Sequence, residues 1–542
     1  MLLTSIIAAL VAGCAMAWPA SQVNQPRQSS TFTNPIVYED LPDLDVFRVG
    51  DVYYYSTSTF AYSPGAPLYK SYDLVNWAPV THSVPTLDFG DKYNLPSATN
   101  RAYVKGIWAS SVRYRASTDT FYWVGCIEFS KTYIYTSSGS NAGANGGEAD
   151  SWNWQQAAVI DTCYYDCGLF IDDDDQMYVV YGNTQISVAK LSSDGLSQVS
   201  TQQVLSSGST TIEGSHMYKI NGYYWIVPTQ PATAEWMYRS TSIYGPYEQR
   251  VLVSSIPAPL ANAGSPHQGG FVETQDGEWY YISFMDSYPA GRMPVMAPLS
   301  WDSNGWPYVV TNSSGGWAVE YDAPVVTSKT VPSLTGTDTF SFLGDEWEWN
   351  HNPDTSKWSI ANGGGLVLQT ATITDDLFTA RNTLTHRIIG PVSEAVFEFD
   401  ISAMSDGDRA GAAMFRDQSA YIGVHKSGST ATLVYVNGIT LADRTWTTSS
   451  TGTVAATGPT VAQSTVYLKI RANVTPAFGL APVRPATFSY SLDGQTWTQL
   501  GGDFLLVNTW TYFTGYRYAA FNFATKALGG AVTLKSFSME NV

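Results

Sequence analysis

The chain has 542 residues, too many for one ordinary domain, so two are expected. Charged and aromatic residues each make up 14%, a balance that suits an all-β, carbohydrate-facing protein better than a helical one. The net charge of −18 argues against nucleic acid or an anionic membrane as partner.

The chain opens on a short apolar run, MLLTSIIAALVAGCAMA, that ends in a small-x-small pattern at Ala15-Met16-Ala17. It lacks a basic leading region and is too short to span a membrane as a mature helix. Residues 1–17 therefore predict a secretory signal and a secreted, extracellular protein; no other stretch resembles a membrane span. Cys14 leaves with the signal, so Cys126, Cys163 and Cys167 remain, and an odd number leaves at least one free thiol. On an extended strand Cys163 and Cys167 stand about 13 Å apart, beyond disulfide reach unless the chain turns. The fold is expected not to depend on disulfides. Residues 18–33 are polar and predict a loose mature N-terminus. Asn312-Ser313-Ser314 and Asn473-Val474-Thr475 are glycosylation sequons.

From residue 34 a hairpin pattern recurs. Its first copy, DLDVFRVGDVYYYSTSTF, turns at Gly50-Asp51 between β-branched and aromatic runs. Later copies turn at Thr118-Asp119, in Asp172 to Asp175, at Asn221-Gly222 and at Asp276-Gly277. Their leading residues are Asp43, Trp108, Asp166, Glu213 and His267, spaced 65, 58, 47 and 54 apart. Multi-strand repeats near fifty residues predict propeller blades, five of them, over residues 34–325. The innermost strands of a propeller start at one end of the central channel, so the five leading residues are expected to converge. Three acids, a Trp and a His at one mouth are hard to explain as packing, because acids are seldom buried unpaired and clustered carboxylates push each other's pKa values apart. The run Asp172 to Asp175 is like a calcium loop but sits at a hairpin's far turn, and reads as a solvated turn. Residues 326–338, rich in Pro, Thr, Ser and Gly, form a linker. From 339 to 542, short alternating segments such as Ala395 to Ile401 predict an antiparallel β-sandwich of jelly-roll or lectin-like type.

These motifs together resemble glycoside hydrolase family 43. They include DLDVFRVGDVYYYSTSTF, SPGAPLYKSYDLVNW, GIWASSVRY, DCGLFIDDDD, EGSHMYKINGYYWI and SPHQGGFVET. WEWNHNPD, ARNTLTHR, GDRAG and SAYIGVH resemble the sandwich appended to xylosidase-like members. CYYDCGLFIDDDD, IWASS and SPHQG bring the chain nearest to fungal arabinofuranosidases that remove O3-linked arabinose from doubly substituted xylose. The resemblance implies an inverting mechanism with Asp43 as general base, Glu213 as general acid and Asp166 raising and orienting that acid. The family usually reads Ala-Asp-Pro at the base, whereas this chain reads Pro42-Asp43-Leu44, which leaves Asp40 and Asp45 as nearby decoys. His267 matches an axial His that faces a bound calcium or its water in the family, or else is a hydrogen-bonded structural His. No cofactor is required, with structural calcium as the one candidate.

Among the other residues, Trp108 and Phe60 are expected to wall the sugar pocket, and Arg292 to donate to sugar hydroxyls. From the sandwich, Trp510 to Phe513 is a candidate contact with the cleft. The function expected is α-L-arabinofuranosidase on arabinoxylan or arabinan, acting as a monomer. The alternatives are a β-xylosidase acting on xylo-oligosaccharide ends and a non-catalytic carbohydrate-binding propeller.

Overall fold

The computed structural model describes residues 30–542. The signal-like run 1–17 and all but the last residues of 18–33 lie outside the described residues. Five four-stranded antiparallel sheets form a five-bladed propeller, and a β-sandwich follows. The innermost strands are Asp45–Val49, Ser111–Arg115, Gly168–Ile171, Glu213–Ile220 and His267–Glu273, so each leading residue lies at or just before the start of one. The tight turns follow local chemistry. Asn221 and Gly222 both take positive φ, 52° and 79°, the conformation a two-residue hairpin needs and one that Asn and Gly adopt readily. Thr31–Thr33 pairs antiparallel with Glu320–Asp322; this end of the N-terminal stretch is thus tied by a sheet ladder rather than loose.

Aromatic side chains fill the gaps between blades. Phe121 of the second blade meets Tyr54 of the first at 5.5 Å and Trp152 at 4.8 Å. The Asp172 to Asp175 turn is exposed at Asp173 and Asp174, as a solvated turn should be, and cations of both flanking blades also reach it. Lys219 bonds Asp172 at 2.7 Å and Arg115 bonds Asp175 at 2.6 Å. Its carboxylates are inter-blade ties.

Cys126 and Cys163 form a disulfide with Cα atoms 5.1 Å apart, and Cys167 is a buried free thiol. Sequence left at least one thiol free, and Cys167 is that thiol. Cys126 sits on a strand of blade 2 and Cys163 on the connection into blade 3, a juxtaposition only the ring creates. The cross-link spans 37 residues, and chain entropy predicts that its reduction costs about 4 kcal/mol. Guanidinium unfolding with and without reductant checks this; coincident midpoints would show that the bridge does not stabilise the fold.

The sandwich packs a nine-stranded sheet on an eight-stranded one. The eight-stranded sheet ends on a propeller segment, Tyr62–Ser63, paired with Trp349 and Asn350. Apolar packing is continuous from Trp225, Phe271 and Trp306 of the blades into Trp347, Phe397 and Phe537 of the sandwich. Buried Glu348 is held at this interface by Arg387 at 2.8 Å and Arg517 at 2.5 Å, and blade 1 adds His82 at 3.3 Å. Burial alone would favour its neutral form, but the two guanidinium groups keep it well below the usual carboxylate range. The two domains therefore share a sheet, a core and an ionic cluster, which sets the sandwich against the propeller mouth.

Candidate active site

Asp43, Asp166 and Phe60 all adopt left-handed backbone, with φ of 52°, 44° and 55°. Such conformations cost about 1–3 kcal/mol each and persist where the surroundings over-determine them; Asp tolerates them better than Phe. Three at one channel end mark that end as built for something other than packing.

Arg292, at the start of the third strand of blade 5, holds Asp43 in a two-pronged ion pair, Nη1 to Oδ1 at 2.5 Å and Nη2 to Oδ2 at 3.1 Å. Its Nε donates to the Phe513 carbonyl at 3.2 Å, so every guanidinium nitrogen has a protein acceptor. Sequence suggested a donor to sugar hydroxyls; its position is that of a clamp on the carboxylate. Burial opposes its charge, but Asp43 chiefly, with Tyr288, Asp40 and Asp286, holds Arg292 protonated.

The two decoys have other occupations. Asp45 is fully buried and accepts from Ser111 Oγ at 2.6 Å, Val112 N at 2.9 Å and Arg113 Nη1 at 2.6 Å. Asp40 accepts the backbone N–H of Arg292 at 2.7 Å and of Gly515 at 2.8 Å. Both approaches require glycine: a β-carbon on Gly291 would overlap the Asp40 carboxylate, and one on Gly515 the Ala290 carbonyl.

Glu213 starts the innermost strand of blade 4. Tyr165 Oη donates to its Oε2 at 3.0 Å and Asn183 Nδ2 to the same oxygen at 2.7 Å. Both donors on one oxygen leave Oε1 as the one to carry a proton. Burial raises the Glu213 pKa, Tyr165 and Asn183 oppose the rise, and Asp43 adds to it. Asp166 is raised further, first by burial, then by Glu213 and Asp43, against a smaller pull from Arg292. The three carboxylates lie close enough to act on one another.

Aromatic rings form an arc from the base side to the acid side. Phe60 meets Trp108 at 5.0 Å, and Trp108 meets Phe513 of the sandwich at 4.9 Å. Trp108 also meets Phe129 at 5.8 Å, and Phe129 stacks on Tyr165, again at 5.8 Å. The structure thus gathers Asp43, Asp166, Glu213, Arg292, Trp108 and Phe60, and adds Tyr165, Asn183, Phe129 and Phe513. The stretch Trp510 to Phe513, flagged as a contact from the sandwich, supplies that last ring.

His267 stands apart from the carboxylates' hydrogen bonds. Its Nδ1 donates to the Ser265 carbonyl at 2.9 Å and its ring lies edge-on to Phe284. Calcium takes six to eight oxygen ligands, and among the described residues no three His, Cys, Asp or Glu side chains converge on one point. The side chains about His267 do not make such a cage.

A five-bladed propeller whose channel mouth holds interacting carboxylates, one clamped by an arginine and one raised toward its acid form, walled by aromatic rings, has the parts of a glycoside hydrolase. The chain belongs to glycosyl hydrolases family 43, whose model matches residues 32–307, and a beta xylosidase C-terminal concanavalin A-like domain matches residues 337–540. A "Beta-xylosidase" of Formosa agariphila is 25% identical over 580 residues, 94% of this chain and 90% of its own. A "Non-reducing end alpha-L-arabinofuranosidase BoGH43B" of Bacteroides ovatus is 30% identical over 372 residues, 64% of this chain and 66% of its own. A solved family member, described as a GH43 glycoside hydrolase engineered to display both endo-xylanase and exo-arabinofuranosidase activity, is 56% identical. It superposes with a TM-score of 0.93, covering 95% of this chain and 100% of its own.

Proposed function

We propose that this hydrolase is a secreted, monomeric, inverting α-L-arabinofuranosidase that removes side-chain arabinose from arabinoxylan, with O3-linked arabinose on doubly substituted xylose as its preferred target. The observation that carries this reading is the pairing of the Arg-clamped Asp43 with Glu213 held toward its protonated form inside one aromatic-walled mouth. The 56% identical solved relative with exo-arabinofuranosidase activity supports the sugar. β-Xylosidase is the second reading, favoured by the name of the Formosa agariphila relative.

In this mechanism Asp43 takes a proton from a water, which attacks the anomeric carbon on the face opposite the leaving group. Glu213 gives its proton from Oε1 to the departing glycosidic oxygen. Arg292 holds Asp43 aimed through its two-pronged contact. Asp166 is assigned the modulator's role beside the acid: like charges on Asp166 and Glu213 repel, so the pair resists losing both protons. The chemistry uses only acid and base groups of the chain. The aromatic arc offers faces for sugar C–H surfaces and excludes water from the leaving-group side.

Asn183 tunes the acid. Its N–H stabilises the Glu213 carboxylate, so Asn183→Ala should raise the Glu213 pKa further and move the alkaline limb of kcat/KM to higher pH. A limb that stays in place would separate Asn183 from the acid.

The function is tested with xylo-oligosaccharides carrying arabinose at O2, at O3 or at both, followed by proton NMR. Release of β-arabinofuranose from the doubly substituted substrate supports sugar, linkage and inversion together. Xylose released from undecorated ends, with arabinose untouched, replaces this reading with the β-xylosidase one. No product from any of them leaves only a binding propeller.

A further inference from the structure

A second cavity lies away from the channel mouth, in the crease between the outermost strand of blade 1 and the edge of the sandwich. It encloses about 370 Å³. Pro79 of the blade and Leu334 of the linker form apolar walls, and Phe342, Glu346, Asp345 and His386 of the sandwich face it from the other side.

Three of these groups lack the partners expected of a purely structural wall. Phe342 is 69% exposed, a large aromatic face left to solvent beside a cleft. Glu346 is half-buried and, among the described residues, pairs with no Lys or Arg; His82 acts on it only from a distance, and its hydrogen-bond donor is its own backbone N–H. His386 is 93% buried by its 7% exposure, and its Nδ1 donates to the Arg387 carbonyl at 2.6 Å. Its ring is wedged between Trp347 and Phe537, and among the described residues no hydrogen-bond partner reaches Nε2. Burial, with Arg387 and Arg517 nearby, lowers its pKa to about 4, so Nε2 carries a lone pair and is an acceptor. Asp345 adds an exposed carboxylate, 3.6 Å from His82.

The crease therefore presents an aromatic face and a row of acceptors, and neither Lys nor Arg lines it. An anion has no cation to bind there. A metal would need converging oxygen ligands, and the acids do not converge. A ligand with C–H faces to stack and many hydroxyl protons to donate fits both features, and a neutral sugar chain is such a ligand.

We propose that this crease is a second carbohydrate-binding site, in which one pentose ring of a xylan chain stacks on Phe342 while its hydroxyls donate to Glu346, Asp345 and His386. It would anchor the enzyme on the polymer while the channel mouth works on side chains. The choice of xylan as ligand rests on the function proposed above; the site's construction does not.

The test uses the full-length protein and its Phe342→Ala and Glu346→Gln variants in depletion onto insoluble arabinoxylan, arabinan and cellulose. In parallel, kcat/KM is measured on the aryl arabinofuranoside or aryl xyloside that the wild type turns over. Both variants should keep the small-substrate kcat/KM within two-fold, which shows that they fold, and lose at least five-fold in depletion onto arabinoxylan. Loss confined to arabinan or cellulose keeps the site and overturns xylan as its ligand, while the product analysis judges the catalytic reading separately. Depletion equal to wild type in both variants, or no depletion of the wild type by any polymer, overturns the site. So does a rise in Tm with calcium chloride alone that Glu346→Gln abolishes, which would make the crease a cation site.

Discussion

Glu213→Gln is expected to lower hydrolysis of the unactivated polymer substrate by about 10²–10⁴-fold, the usual contribution of a positioned general acid. The loss comes from chemistry and not from folding. The amide oxygen of Gln still accepts from Tyr165 and Asn183, which bond a single Glu213 oxygen at 3.0 and 2.7 Å. What disappears is the proton on the other oxygen. An alkoxide leaving group cannot depart without it, whereas a nitrophenolate can, so the same variant should retain far more activity on an activated aryl glycoside. The ratio of the two losses is the diagnostic. Equal losses on both substrates would point to damaged binding, and unchanged polymer hydrolysis would remove Glu213 from the acid's role.

The second large effect belongs to Asp43, and it divides into two parts that different variants separate. Asp43→Asn removes the base and should cost a similar 10²–10⁴-fold in kcat, while its side chain still offers an oxygen to Arg292. Asp43→Ala should lose as much activity and destabilise the fold more than Asn does, by about 3–5 kcal/mol against wild type, because it leaves the buried Arg292 guanidinium with neither counter-charge nor acceptor. Burial strengthens that expectation: Asp43 and Arg292 are 6% and 7% exposed. Denaturant unfolding reads the second part and steady-state kinetics the first. If Asp43→Ala unfolds at the wild-type midpoint, the ion pair orients the base without holding the ring together. If Asp43→Asn keeps activity within ten-fold, another group activates the water.

The propeller was legible because its information is local. Each hairpin carries its own turn residues and aromatic run, and repetition at similar spacing implies convergence without any long-range contact being known. The carboxylates came with it, since Asp43, Asp166 and Glu213 lead their blades. Asn183 and Tyr165 were harder to see. Asn183 ends the second strand of its blade, and its link to Glu213 exists only once blades 3 and 4 stand side by side. The disulfide was missed for the same reason: spacing along one strand said that Cys163 could not reach Cys167, and nothing local placed Cys126 beside it. Arg292 was found by type, but its bonds to Asp43 and to the Phe513 carbonyl were not legible, because a buried guanidinium's protein partners are set by the packing of Phe513 and Asp40 around it. Phe513 itself comes from a loop whose position depends on the docking of two domains, which no periodicity reports.

Asp40 joins parts of the chain made at very different times. Its carboxylate ties residue 292 to residue 515, while the acids of the mouth are all in place by residue 213. During synthesis the ribosome releases the whole chemical apparatus long before the loop that finishes its wall. A nascent or C-terminally truncated chain would thus hold the reactive groups in an unfinished vessel, open to solvent where Phe513 should stand. The loop of Phe513 would then act as a completion signal for the mouth, and activity toward polymer should appear only when translation has passed it.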